Sequence, residues 1–321
     1  MKEPKKYKPQ STRQVCELMK KYEGDCKLIA GGTDLIIQMK KSGDKPKVLV
    51  DITDIKEMRF IRIGKDNVEI GAATTFTDIV VSEELKCKYS ALVQAAKYVG
   101  SPQIRNKGTI GGNIANGATA ADTAPILLAL NAIAFIQINK GDCSCEEANL
   151  QANSNSICVR NVKVEDMYEK QNMTSEENIG KGNKMLDANE VIYSFKFKSI
   201  EANEFLGFYK LGSRKALAIS KGNLAVLFKV ENNVCTEIRV ASGSLGKTPL
   251  RERELEKFLR GKKLSEEVLT QAEELYSKVI SERLKGRTSV DYKKEVVKGV
   301  FRNAFDNAFE NRETEQQFCS Y

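Results

Sequence analysis

Two pairs of adjacent glycines offer this chain its clearest chemistry. In Leu28-Ile29-Ala30-Gly31-Gly32-Thr33-Asp34-Leu35 the pair falls between a predicted strand and a predicted helix. A backbone without Cβ atoms can approach a bulky anion closely, and successive N–H groups at a helix start can cradle phosphate oxygens. A tight turn that needs glycine only for positive φ would carry the same residues. Thr109-Ile110-Gly111-Gly112-Asn113-Ile114-Ala115-Asn116-Gly117 repeats the theme as a glycine-rich loop. Gly111-Gly112 reads as a second anion-binding turn there. Asn113, Asn116 and Asp122 suit hydroxyls, a pyrophosphate or an adenine. Two such loops in one domain suggest a long ligand with two phosphates clasped from both sides, and dinucleotides are the commonest of these.

What is missing narrows the chemistry further. No G-x-G-x-x-G follows a strand and no Gly-x4-Gly-Lys-[Ser/Thr] is present, so neither Rossmann nor P-loop binding is indicated. The chain has no histidine, which removes the commonest metal ligand, the usual general base and any histidyl-linked flavin. Its eight cysteines never form C-x-x-C, and Cys143, Cys145 and Cys158 match no standard zinc or iron–sulfur spacing. Free thiols in a reducing cytosol are expected, with no metal site and no catalytic side chain. The net charge of +8 comes from 51 basic residues scattered among 43 acidic ones, a solvated surface rather than a nucleic-acid footprint. Met1 to Lys8 is polar and lysine-rich, and no stretch reaches the ~18 apolar residues of a membrane helix. The expectation is a cytoplasmic protein with no membrane association.

The elements around these turns follow from periodicity. Val15, Leu18 and Met19 mark a helix within Pro9 to Tyr22, with Ser11 as N-cap. A strand from Cys26 to Ala30, a helix from Asp34 to about Lys41 closed by Ser42-Gly43-Asp44, and a strand from Val48 to Asp51 come next. A helix crossing between two strands predicts that they pair in parallel. Phe60–Ile63 and Val68–Ala72 read as strands about a turn, Phe76–Leu85 and Ser90–Val99 as helices, and Pro125 opens the apolar run Ile126–Leu130. Gly141 to Lys184 is the most loop-like stretch and the natural domain boundary. Strands follow at Val191–Lys198, Phe205–Leu211, Asn223–Val230 and Cys235–Ser242, and then three amphipathic helices. The clearest runs from Ser265 to Glu282, burying Val268, Leu269, Ala272, Leu275, Tyr276 and Val279. Strands and helices in separate blocks indicate an α+β domain. The division expected is residues 1–185 (subdomains 1–58 and 59–185), 186–310, and a polar tail, 311–321.

In this order and spacing the motifs become recognisable. Ala30-Gly31-Gly32-Thr33-Asp34-Leu35 and Ile104-Arg105-Asn106-Lys107-Gly108-Thr109-Ile110-Gly111-Gly112-Asn113 closely resemble the two flavin signatures of the FAD subunits of molybdenum hydroxylases. That family includes carbon monoxide dehydrogenase medium subunits and the FAD portion of xanthine dehydrogenase, on the fold shared with vanillyl-alcohol oxidase and p-cresol methylhydroxylase. Ala121-Asp122-Thr123-Ala124-Pro125, Leu186-Asp187-Ala188-Asn189-Glu190-Val191-Ile192 and Tyr209-Lys210-Leu211-Gly212-Ser213-Arg214-Lys215 through Ala218-Ile219 resemble further family segments, over most of residues 5–305.

The resemblance implies one non-covalent FAD on an α+β fold: a two-subdomain FAD-binding domain, then a domain of antiparallel sheet and helices. Ile29, Ala30, Gly31, Gly32, Thr33, Asp34 and Leu35 would hold the pyrophosphate, assisted by Thr109, Gly111, Gly112 and Asn113. Asp122 would bond the adenosine half or nearby backbone, Ile192 would pack near the isoalloxazine, and Lys210 would sit at its polar side. Plainer readings exist: Asp122 as the N-cap before Pro125, Ile192 as core, Lys210 as a surface ion-pair partner. Val99 stands where larger eukaryotic relatives carry a ring-stacking aromatic, so shielding falls to another residue, with Tyr193 one candidate. Gly141 to Cys158 is longer than usual, yet does not reproduce the iron–sulfur insertion of a benzoyl-CoA-reductase-like relative.

By the same resemblance, electrons leave a molybdenum-pterin centre on a large subunit and pass through [2Fe–2S] clusters on a small one. They reach this chain's FAD and go on to NAD⁺ or another acceptor. A free-standing flavin oxidase or dehydrogenase of the same fold, and a non-catalytic nucleotide-binding assembly factor, are the alternatives.

Overall fold

The computed structural model describes residues 3–43, 45–139, 150–152, 157–174, 185–214 and 217–318. Within that range the chain forms two compact units, each assembled from three separate segments. The first comprises residues 1–78, 102–117 and 132–198; the second comprises 79–101, 118–131 and 199–321.

The first unit holds two sheets. A three-stranded parallel sheet has Val48–Asp51 at its centre, with Lys5–Tyr7 on one side and Cys26–Ile29 on the other. The expected parallel crossover is present. The edge strand Lys5–Tyr7 was too short to read from periodicity. Helix Thr12–Lys21 buries Val15, Cys16 and Met19, and its N-cap Ser11 accepts the Gln14 N–H at 3.3 Å. Helix Leu35–Ser42 buries none of its side chains, although it opens Leu-Ile-Ile, and it ends on Gly43 in the left-handed region.

The second sheet of this unit is antiparallel and six-stranded. Its order is Ile61–Ile63, Asn67–Gly71, Glu190–Lys198, Ile133–Asn139, Ile157–Lys163, Leu150–Ala152. Two expectations need correcting here. Strand Glu190–Lys198, read from sequence as the opening of the C-terminal domain, lies between strands of the first unit. Alternation announces a strand but not its partners, and these lie far back in the chain. The stretch read as loop, Gly141 to Lys184, contains strands Leu150–Ala152 and Ile157–Lys163 and helix Val164–Thr174; the rest of it is outside the described residues. Glu190, in the motif before Ile192, is buried. It takes a bidentate pair from Arg160 at 2.6 and 2.8 Å and the Asp187 N–H at 2.9 Å, which fixes the entry to that strand.

The second unit is a meander packed on helices. Glu204–Gly212, Ser220–Glu231, Val234–Gly243 and Leu250–Arg251 pair antiparallel in that order. One face presents Leu224, Val226, Phe228, Ile238 and Val240 to Leu269, Ala272, Tyr276 and Ile280 of helix Glu266–Arg283 and to Phe301 and Phe305 of helix Val290–Phe318. Phe228 stacks between Phe205 and Phe305, with ring centroids 5.1 and 5.3 Å away. Ser265 caps its helix as expected, accepting the Val268 N–H at 3.4 Å. Beside this core lies a buried ionic group. Glu252 takes a bidentate pair from Arg283 at 2.6 and 2.8 Å and the Ser242 hydroxyl at 2.5 Å; Glu256 takes Arg251 at 2.5 Å.

Candidate functional site

The first glycine turn begins where strand Cys26–Ile29 runs out. Gly32 adopts φ +67°, so this position requires a residue at ease in the left-handed region. The Ile36 N–H then bonds the Gly32 carbonyl at 3.1 Å and the Gln38 N–H bonds that of Asp34 at 2.9 Å, starting the helix. Asp34 sits at the N-cap but makes no side-chain cap bond. Apart from the Ile36 N–H, the amides of the first turn therefore have no side-chain cap from Asp34.

The second glycine pair is a helix rather than the loop read from its composition. Thr109 caps helix Ile110–Asn116 by accepting the Gly112 N–H at 3.0 Å, and Gly117 closes it at φ +61°. Glycine and asparagine are poor helix formers, and tertiary bonds supply what propensity withholds. The Ile110 N–H bonds the Thr74 carbonyl at 3.0 Å, Gly111 N–H that of Ala72 at 2.9 Å, and Phe76 N–H that of Gly108 at 3.0 Å. Thr109 has given one lone pair to the cap and keeps its own O–H to donate.

Within each pair the two glycines do different work. A Cβ on Gly31 would overlap the Lys107 carbonyl and approach Gly108 N, and one on Gly111 would fall 2.6 Å from both Cβ and the carbonyl oxygen of Ala72. These two are glycine because other backbone occupies the space. Gly112 is exposed, and a Cβ there would meet only Thr109 Oγ1 at 3.0 Å. Gly32 is half-buried, and a Cβ there would come nearest to Ile29 and Ile36, at 3.1 and 3.2 Å. Of the four, Gly112 alone is exposed, while Gly32 is required by its positive φ.

The turns also lock to one another. Gly31 packs on the segment just ahead of Thr109, and Gln38 Nε2 donates to Asn116 Oδ1 at 2.8 Å. The eleven residues expected from the two signatures lie on these two stretches, both within the first unit.

The remaining three candidates are placed as follows. Ile192 is buried in strand Glu190–Lys198, opposite Ile136, where the register shifts by one residue at Tyr193. Such bulges re-aim side chains. Tyr193 packs on Phe60 with centroids 6.0 Å apart, and Arg62 lies 4.0 Å over that same Phe60 ring. Asp122 and Lys210 meet in the second unit at 2.6 Å, both almost wholly buried. The plainer readings of these two residues therefore do not hold: the N-cap before Pro125 is Thr123, and Lys210 is not on the surface. Lys210 also donates to the Tyr98 carbonyl at 3.0 Å, and Asn223 Nδ2 donates to Asp122 Oδ1 at 2.9 Å. Burial drives the Asp122 carboxyl above its ordinary value, while Lys210 and Asn223 oppose that drive.

Asn223 escaped sequence reading, since a lone asparagine in an apolar strand carries no spacing signal. Cys143 and Cys145 lie outside the described residues. Cys16, Cys26, Cys158 and Cys235 are free thiols, whereas Cys87 is disulfide-bonded, which corrects the expectation of thiols throughout; it is half-buried on its helix rather than sealed in the core. No cluster of metal-ligating side chains occurs among the described residues, and no described helix is long and apolar enough to cross a membrane.

Comparison with known proteins gives two family matches. Residues 2–146 match the family described as the FAD binding domain in molybdopterin dehydrogenase, and residues 207–308 match the CO dehydrogenase flavoprotein C-terminal domain. The nicotinate dehydrogenase FAD-subunit of Eubacterium barkeri is 33% identical over 276 residues, covering 86% of this chain and 85% of that one. The xanthine dehydrogenase FAD-binding subunit of Escherichia coli O157:H7 is 30% identical over 274 residues, 84% of each chain. Among solved structures, a chain of the carbon monoxide dehydrogenase of Hydrogenophaga pseudoflava superposes with TM-score 0.79 at 26% identity, covering 97% of this chain and 98% of that one.

Proposed function

This chain belongs to the FAD-binding subunits of the molybdenum hydroxylase family, and from that membership we propose that it relays electrons through one non-covalent FAD between [2Fe–2S] clusters on a small subunit and NAD⁺ or another acceptor. The supporting observation is the interlocked pair of glycine turns. Gly31 and Gly111 close the backbone of the first unit on itself, Gly32 turns the chain at positive φ ahead of one helix, and Gly112 is exposed at the start of the other. That cradle fits a pyrophosphate: it offers amide donors and positive dipole ends, and side-chain bulk is missing where the anion would lie.

In this reading the amides of Gly32 to Leu35 donate to one phosphate. The Thr109 hydroxyl serves the other, since the N–H groups from Ile110 to Asn113 are already bonded to Thr74, Ala72 and Thr109. Ile29 and Ala30 carry the turn from the strand. Lys210 is assigned to the flavin's polar side, Ile192 to its ring, and Asp122 to the adenosine half or nearby backbone. When bound, FAD supplies the exchange between single electrons and electron pairs, while the chain's residues bind it and shape the field around it. Substrate oxidation then belongs to a molybdenum-pterin partner subunit.

Reconstitution tests this. The purified chain should carry one FAD, released by acid precipitation, and should reduce an artificial dye with NADH. Purines, nicotinate and aldehydes should be oxidised only when molybdenum and [2Fe–2S] subunits are added. Robust hydroxylation by the chain alone would overturn the relay and favour a free-standing flavoenzyme; a colourless chain that takes up no FAD would overturn the site.

A further inference from the structure

The second unit holds a buried arrangement that no single sequence motif contains. Lys210 and Asn223, opposite one another on paired strands, join Asp122 from an earlier segment of the second unit in one chain of bonds: Lys210 Nζ to Asp122 Oδ2 at 2.6 Å, and Asn223 Nδ2 to Asp122 Oδ1 at 2.9 Å. Lys210 is held from its other side by the Tyr98 carbonyl at 3.0 Å, and its ammonium lies 5.8 Å from the Tyr98 ring centroid. A buried ion pair is costly to desolvate, so each additional bond to its charged groups matters to the geometry it keeps.

Asn223 shows that the arrangement is specified. It is fully buried, and its amide can face Asp122 only through the NH2 group, because the opposite orientation would set oxygen against carboxylate. That leaves Asn223 Oδ1 buried with no hydrogen-bond partner. The strand opposite makes room for this oxygen with Gly243, where any Cβ would overlap it. A folding core would be better served by an apolar residue at both positions, since an orphaned buried acceptor destabilises. Keeping the orphan makes sense if the donor on its other side is what matters.

We infer that Asn223 is a positioning residue. It fixes the Asp122 carboxylate as a charged acceptor, and Asp122 in turn holds the Lys210 ammonium in place and partly offsets its charge. This rests on the reading above in which Lys210 adjoins the flavin. The net field of the Lys210–Asp122 pair then biases the bound cofactor between oxidised and reduced forms: removing the negative partner favours the reduced form, which carries more negative charge. Asn223 acts on that balance only through Asp122.

A double-mutant cycle on the full FAD-loaded chain tests this, with the ratio of reduced to oxidised FAD read by absorbance at equilibrium with a reference dye. Asp122→Asn should raise the ratio about tenfold, roughly 30 mV for a two-electron couple. Asn223→Leu should raise it about threefold by leaving the carboxylate short of a donor. Made in the Asp122→Asn background, Asn223→Leu should add nothing. Asn223→Ala serves equally if the leucine variant does not fold. An unchanged ratio in flavin-bearing Asn223 variants, the same threefold shift in both backgrounds, or loss of FAD from folded Asn223 variants would overturn the inference. Wild-type chain that binds no FAD would instead sink the reading it rests on.

Discussion

The two units put polar groups to use in opposite ways. In the first, the candidate site is made of main chain: glycines, helix starts and one capping hydroxyl, drawn from two short runs of sequence. In the second, the Lys210–Asp122–Asn223 chain and the Glu252–Arg283 group are made of side chains brought together from distant segments. A site built from backbone depends on shape and tolerates almost no added atoms. A site built from side chains depends on charge balance and tolerates shape better than loss of a partner.

The sharpest test of that contrast is inside the glycine pairs. Gly31→Val and Gly111→Val should destabilise the first unit by about 3 kcal/mol or more, because the new atoms collide with backbone that cannot yield. Thermal unfolding and soluble yield would register it. Gly112→Ala should leave the melting temperature almost unchanged and weaken FAD binding about tenfold, near 1.4 kcal/mol. If Gly31→Val melts like wild type, the close packing described for that turn is wrong.

Glu252→Gln probes the other unit. Gln keeps the shape and removes the charge that Arg283 and Ser242 answer, so the loss should be about 3 kcal/mol in denaturant unfolding. A loss below ~1 kcal/mol would mean that the second unit is held by its Phe228 core alone and would blunt the comparison.

The smallest expected effect is at the surface of the first unit. Partial burial pushes the Asp78 carboxyl up, but Arg59 at 2.8 Å and the Thr75 N–H at 2.9 Å outweigh it, and the net shift is downward. Its folded value lies below its unfolded one of ~3.9, so the stabilisation is present above about pH 4 and fades as pH falls through the folded value. Solvent screening limits it to about 0.5 kcal/mol. Asp78→Asn should cost that much at pH 7 and nothing in strong acid, as pH-dependent unfolding curves would show; an equal cost at both would point to a hydrogen-bond effect without charge.

What was legible in the sequence follows the same divide. Ala30–Leu35 and Thr109–Asn113 could be read because a phosphate cradle needs only neighbouring residues. Within that stretch the helix Ile110–Asn116 was hidden, since its stability comes from Thr74 and Ala72 rather than from its own residues. Strand Glu190–Lys198 announced itself by alternation, but its partners Asn67–Gly71 and Ile133–Asn139 could not be inferred from it. Asn223 was invisible for the reason that makes it interesting: its meaning lies wholly in Asp122 and Gly243, residues that only the fold brings near.

The interleaved path of the chain has a consequence for how the protein is made. Six alternating segments mean that the polypeptide passes from one unit to the other five times. On the ribosome the strands Ile61–Ile63 and Asn67–Gly71 must wait for Glu190–Lys198 to emerge before their sheet can close. Neither unit can therefore be released by one cut or exchanged as a cassette by one recombination event, and fragments ending near residue 146 should be handled by chaperones rather than fold.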